Sequence, residues 1–101
     1  AITAWSLSSA PERYAQCARA IGAALARDSD ELAGRKLVSF LEAINTELSV
    51  PTLAEFGVDF QRFEQVVSTM AEQALASGSP GNNPRMPSVE EMIALYRALW
   101  V

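Results

Sequence analysis

Along this chain large apolar side chains recur every three or four residues, in stretches separated by proline, glycine and small polar residues. Tyr14, Cys17, Ala18, Ile21 and Leu25 share one stripe, and that period predicts an amphipathic helix. Leu37, Phe40, Leu41, Ile44 and Leu48 trace a second. Ser49, Val50 and Pro51 end it, because proline pushes the residue before it out of helical geometry. Phe60, Phe63, Val67, Met70, Ala71 and Ala74 make a third, running to about Ser77, and Val89, Met92, Ile93, Tyr96, Leu99 and Trp100 make a fourth. No run alternates apolar and polar residues at the strand period.

Helix starts are written as Ser, Thr or Asp followed three residues later by Glu, a spacing that lets two side chains satisfy free amides at a helix N-terminus. Four such pairs occur: Ser9/Glu12, Asp28/Glu31, Thr52/Glu55 and Ser88/Glu91. Pro11 suits the first turn of its helix, where an N–H is not needed. Asp59 is placed to cap the third long helix. Thr52 to Phe56 is long enough for one turn, and Gly57 follows where positive φ is wanted, which predicts a short helix. Gly78 to Pro87 carries three prolines and two glycines and is expected to be a loop. The expectation is an all-α helical bundle of four main helices plus one short helix.

At 101 residues the chain has room for a single domain, residues 1–101, and not for a nucleotide-binding domain beside a catalytic one. Half the residues are hydrophobic and a fifth are charged, the balance of a folded protein rather than a disordered one. The net charge of −4 and the lack of a Lys/Arg cluster exclude nucleic acid as a partner. The longest apolar run, around Ile21 to Ala26, falls far short of the roughly 20 residues that cross a bilayer. Cys17 is the one cysteine, so no disulfide forms within the chain and a cytoplasmic origin is expected. Ala1 to Ser9 has no initiating Met and no signal-peptide pattern, and reads as the middle of something larger. Histidine is absent, which removes the commonest general base and transition-metal ligand together.

The stretch from Asn83-Pro84-Arg85 through Ser88 to Ala94-Leu95-Tyr96 and Trp100 resembles the C-terminal signature of the iron-containing (group III) alcohol dehydrogenases, an Asn-Pro-Arg loop before a capped helix. Arg13-Tyr14-Ala15 with Ala18-Arg19-Ala20-Ile21-Gly22 is similar to the family's first helix after its metal-binding segment. Val50-Pro51-Thr52-Leu53 through Phe56-Gly57-Val58 resembles its short capped turn. The three matches keep the family's order across nearly the whole chain. The resemblance implies a fragment of the family's C-terminal helical domain, from an enzyme that moves hydride between NAD(P) and an alcohol/carbonyl pair. It implies an N-terminal nucleotide-binding domain as the missing partner on the same polypeptide. The family's metal, iron or zinc, is held by an Asp and three His, and a chain without histidine is expected to hold none of it. Ala1-Ile2-Thr3-Ala4-Trp5 falls where the family's sequence runs on after its last metal-binding His. The fragment alone is therefore expected to catalyse nothing, with no catalytic, cofactor-binding or metal residue of its own.

The resemblance places Ser79, Pro80 and Gly81 where some members line the substrate pocket, beside the plainer reading of a turn whose glycines serve the backbone. Asn83, Pro84 and Arg85 would anchor that loop, with Arg85 on a carboxylate or on backbone carbonyls, or on a bound anion; the structural role carries more weight. Cys17 on its stripe is expected to be a small buried hydrophobe. Asp28, Asp30 and Glu31 are read as helix-start carboxylates rather than a hard-metal site. Tyr14 and Tyr96 are read as packing residues. Against the dehydrogenase reading stands a stand-alone helical binding or scaffolding module with apolar grooves for a partner helix. A severed helical domain that exposes an apolar face is also open to self-association through it.

Overall fold

A 3.6-residue period in four stretches builds four helices, and the computed structural model, which describes residues 1–101, contains them: α2 (Pro11–Ala20), α3 (Asp30–Glu47), α4 (Phe60–Ala76) and α5 (Val89–Arg97). A short helix, α1 (Ile2–Ser6), precedes them, with short 3-10 segments at Leu7–Ser9 and Ser79–Asn82 and no strand. The chain is all-helical, as expected. It divides into two compact units, one of Ile2–Val50 and the other holding Pro51–Val101.

In the first unit α2 packs along α3 through small side chains. Ala15, Ala18, Ala24, Ala33 and Leu37 are its buried core, with Tyr14 and Ala23 against them. Alanines bring two helix axes close, so the interface tolerates little added volume. Gly34 serves a third element: a Cβ there would stand 3.1 Å from Leu7 Cδ2, so its absence makes room for the 3-10 segment before α2. The α2 register differs from the expected stripe. Of that stripe Ala18 is buried and Tyr14 packs against the core, but Cys17 is exposed and Ile21 and Leu25 are about half exposed, because the contact with α3 is shared between Ala18 and Ala15, a residue outside the stripe. The helix also stops sooner. Gly22 adopts φ +77, and the amide of Ala23 donates to Ala18 O at 2.8 Å while that of Gly22 donates to Arg19 O, the Schellman arrangement that closes a C-terminus.

Two of the four expected caps are corrected. Ser9 ends the Leu7–Ser9 segment, and α2 starts from Ala10 with no side-chain cap, Pro11 needing none. Ser29, not Asp28, caps α3, accepting from Leu32 N at 3.2 Å. Asp28 instead ties down the 21–29 loop, accepting from Leu25 N and from Lys36 Nζ, each at 2.7 Å. Its carboxyl is held below the usual range, first by the Lys36 hydrogen bond and then by the Leu25 amide. Asp30 and Glu31, in the first turn of α3, pair with Arg19 and Arg35, so each member of the acidic cluster has a basic partner.

In the second unit Asp59 caps α4 by accepting from Arg62 N at 2.7 Å, and Ser88 caps α5 in a full capping box with Glu91. Phe63, Val67 and Ala71 form the buried stripe of α4. Trp100 sits over its start, its ring 5.0 Å from that of Phe60 and 5.3 Å from that of Phe63. Arg97 forks onto Glu64, Nε to Oε1 at 2.9 Å and Nη2 to Oε2 at 2.7 Å, and so also pins α5 to α4. Thr52–Phe56, expected as a short helix, closes as one turn. Its Thr52/Glu55 box and Gly57 at φ +88 cap both ends, leaving one helical bond, Phe56 N to Thr52 O, between them. Leu53 N donates to Leu99 O and holds that turn to the end of α5.

Candidate functional site

The Ser79–Gly81 loop hangs between the end of α4 and the start of α5, and both attachments are specific. On the α4 side Gly78 takes φ +79, and its amide reaches Leu75 O at 3.2 Å. The next bond of a Schellman closure is relayed through a hydroxyl. Ser77 Oγ donates to Ala74 O at 2.6 Å and accepts from Ser79 N at 3.3 Å. Ser79, Pro80, Gly81 and Asn82 then form a 3-10 turn against α4, closed by Gly81 N to Gly78 O and Asn83 N to Pro80 O, each at 3.1 Å. The segment expected to be a loop thus carries a hydrogen-bonded 3-10 turn over Ser79–Asn82. Ser79 and Gly81 are exposed and Pro80 is half-buried, on a turn fixed at both ends.

On the α5 side the anchor is a carboxylate. Asn83 Nδ2 donates to Arg85 O at 2.6 Å, and Arg85 Nη2 donates to Glu91 Oε1 at 2.6 Å. The other oxygen of Glu91 accepts from Ser88 N at 3.0 Å, while Glu91 N donates back to Ser88 Oγ at 3.2 Å. One side chain therefore closes the helix cap and receives the arginine. The Ser88 amide foremost, then the Arg85 guanidinium, hold the Glu91 carboxyl below its ordinary range. Arg85 and Asn83 are half-buried, and Pro87 beside them is buried, so the return strand of the loop lies against the unit. Pattern reading supplied the anchor motif and the cap separately. It missed that both converge on Glu91, since an Arg six residues before a Glu matches no regular spacing.

The remaining candidates fall elsewhere. Tyr14 and Tyr96 are half-buried packing residues on α2 and α5, and Cys17 is exposed on α2. No group of three or more Cys, Asp or Glu is placed to hold a metal ion, and histidine is absent, so these residues do not fit the family's metal. No helix is long and apolar enough to cross a membrane.

The sequence profile of the Fe-containing alcohol dehydrogenase family, C-terminal, matches residues 1–100. The chain belongs to this family. As a member of the iron-containing alcohol dehydrogenases it is similar to the NADPH-dependent butanol dehydrogenase of Clostridium saccharobutylicum, 30% identical over 90 residues that cover 88% of this chain and 23% of that protein. It is also similar to the bifunctional aldehyde-alcohol dehydrogenase of Escherichia coli K12, 32% identical over 94 residues that cover 89% of this chain and 10% of that protein. The chain thus spans less than a quarter of the length of these relatives. No solved structure matches it.

Proposed function

We propose that these 101 residues form the substrate-side helical wall of a metal- and NAD(P)-dependent alcohol dehydrogenase, which interconverts an alcohol and its carbonyl compound by hydride transfer. The observation that carries this is the family match over residues 1–100, joined to relatives named for butanol and for aldehyde and alcohol. The match favours this reading over a stand-alone binding or scaffolding module. In it the chain supplies shape and no chemistry. The rigid turn at Ser79, Pro80 and Gly81 borders the substrate, and Asn83, Pro84 and Arg85 hold it there. Hydride transfer, NAD(P) and iron or zinc belong to residues outside these 101, on the same polypeptide. Exposed Leu48 and Val50 in the first unit, and exposed Phe56 in the second, each fit apolar surface that the rest of that polypeptide covers; expressed alone, the chain would self-associate through such surface.

The test is an assay of two proteins side by side. The full-length polypeptide carrying this segment, loaded with iron or zinc, should oxidise NAD(P)H in the presence of butanal. The 101-residue chain alone should show no turnover and retain neither metal after purification without chelators. Turnover or stoichiometric metal in the short chain, or an inactive loaded full-length protein, would overturn the reading.

A further inference from the structure

We propose that Glu91 is a positioning residue for the Ser79–Gly81 turn, a carboxylate that touches no substrate yet sets where that turn stands relative to α5; the inference rests on the substrate-wall reading above. Four bonds carry the argument. Pro80 O accepts from Asn83 N at 3.1 Å, Arg85 O from Asn83 Nδ2 at 2.6 Å, Glu91 Oε1 from Arg85 Nη2 at 2.6 Å, and Glu91 Oε2 from Ser88 N at 3.0 Å. They form an unbroken line from the turn to the first turn of α5. The Glu64–Arg97 fork and the Trp100 ring contacts hold α5 on α4, and the Ser77 relay holds the other end of the turn on α4. The turn is therefore fixed at two ends of one frame. Glu91 is the joint at which the α5 end can be released without touching the α4 end.

The two oxygens of Glu91 do separable things, which makes the role testable. A glutamine at the third residue of a capping box still accepts from the cap amide, so Glu91→Gln keeps the helix start. It cannot satisfy both donors: turning its carbonyl to Ser88 N presents an amide NH2 to Arg85, where a charge-assisted acceptor stood. Arg85→Gln breaks the same bond from the other side and leaves the capping box whole.

The experiment is a double-mutant cycle in the metal-loaded full-length enzyme, reading KM and kcat for a short and a branched alcohol, with melting temperature alongside. Glu91→Gln and Arg85→Gln should each raise KM by about threefold or more, with smaller changes in kcat and Tm, and the double variant should fall well short of the sum of the two. Ser79→Leu runs in parallel as the probe of the turn itself. If Ser79→Leu shifts KM while Glu91→Gln does not, or the two glutamine variants add fully, Glu91 does not position the turn although the turn does border the substrate. If Ser79→Leu also leaves KM untouched for both alcohols, the substrate-wall reading falls and takes this inference with it. Should Glu91→Gln fail to fold, Arg85→Gln alone decides: an unchanged KM overturns the inference.

Discussion

Single side chains and single φ angles carry much of what holds the ends of these helices. Ser49 sits at φ +53, the one non-glycine residue with positive φ, and closes α3 through Ser49 N to Thr46 O and Val50 N to Asn45 O. A Cβ in that conformation is strained, and Gly22, Gly57 and Gly78 fill the equivalent place elsewhere without it. Ser49→Gly should therefore stabilise the chain by about 0.5–1 kcal/mol, and Gly78→Ala should destabilise it by about 1 kcal/mol or more, both read from urea unfolding midpoints. Three carboxylates of the second unit make a pH prediction. The Arg97 fork lowers the Glu64 pKa, the Thr52 amide lowers that of Glu55, and the Ser88 amide lowers that of Glu91. A carboxylate whose folded pKa is depressed contributes stability that is complete above its ordinary value of 4.5 and is lost as pH falls through the folded value. The melting temperature should stay level down to about pH 5 and then fall, and Glu64→Gln should flatten that fall. A Tm that rises on acidification would contradict it.

At the scale of elements, the period of apolar residues was enough to place α2 to α5, because a 3.6-residue repeat over three or more turns has one regular solution. The pattern fixed the buried face of α2 only in part. Ala18 of the expected stripe is buried and Tyr14 packs beside it, but Cys17 and Ile21 are exposed and Ala15 is buried in their stead, since alanine carries little weight in such a pattern. Ala18→Leu should consequently cost about 1–3 kcal/mol through overpacking, whereas Cys17→Ser should shift stability by about 0.5 kcal/mol at most. Thermal melts of the two variants check this. Caps were half legible. Ser88/Glu91 and Thr52/Glu55 form reciprocal pairs, while Ser9 lies within a 3-10 segment and Asp28 is drawn away by Lys36 and the Leu25 amide. A cap signature reports a local option, and long-range partners decide whether it is taken. On α5 the Trp100 ring contacts with Phe60 and Phe63 make Trp100→Ala destabilising by about 2 kcal/mol or more, with α5 loosening first in amide exchange.

For the whole molecule, the family was legible from ordered short motifs, and the loop anchor motif Asn83-Pro84-Arg85 stood out in the sequence, but its partner Glu91 emerged only from the fold. The chain supplies a hydrogen-bonded turn with Ser79 exposed on it and lacks the residues that would hold the family's metal. In the function proposed above, these two features assign the chain to substrate selection and the reaction to residues outside it. The measurement that bears on this most directly is the alcohol preference of Ser79→Leu in the metal-loaded full-length enzyme, from ethanol through butanol to branched alcohols. KM should rise with alcohol size by about tenfold or more across the series, with metal content unchanged. Kinetics equal to the unsubstituted enzyme for every alcohol would contradict it.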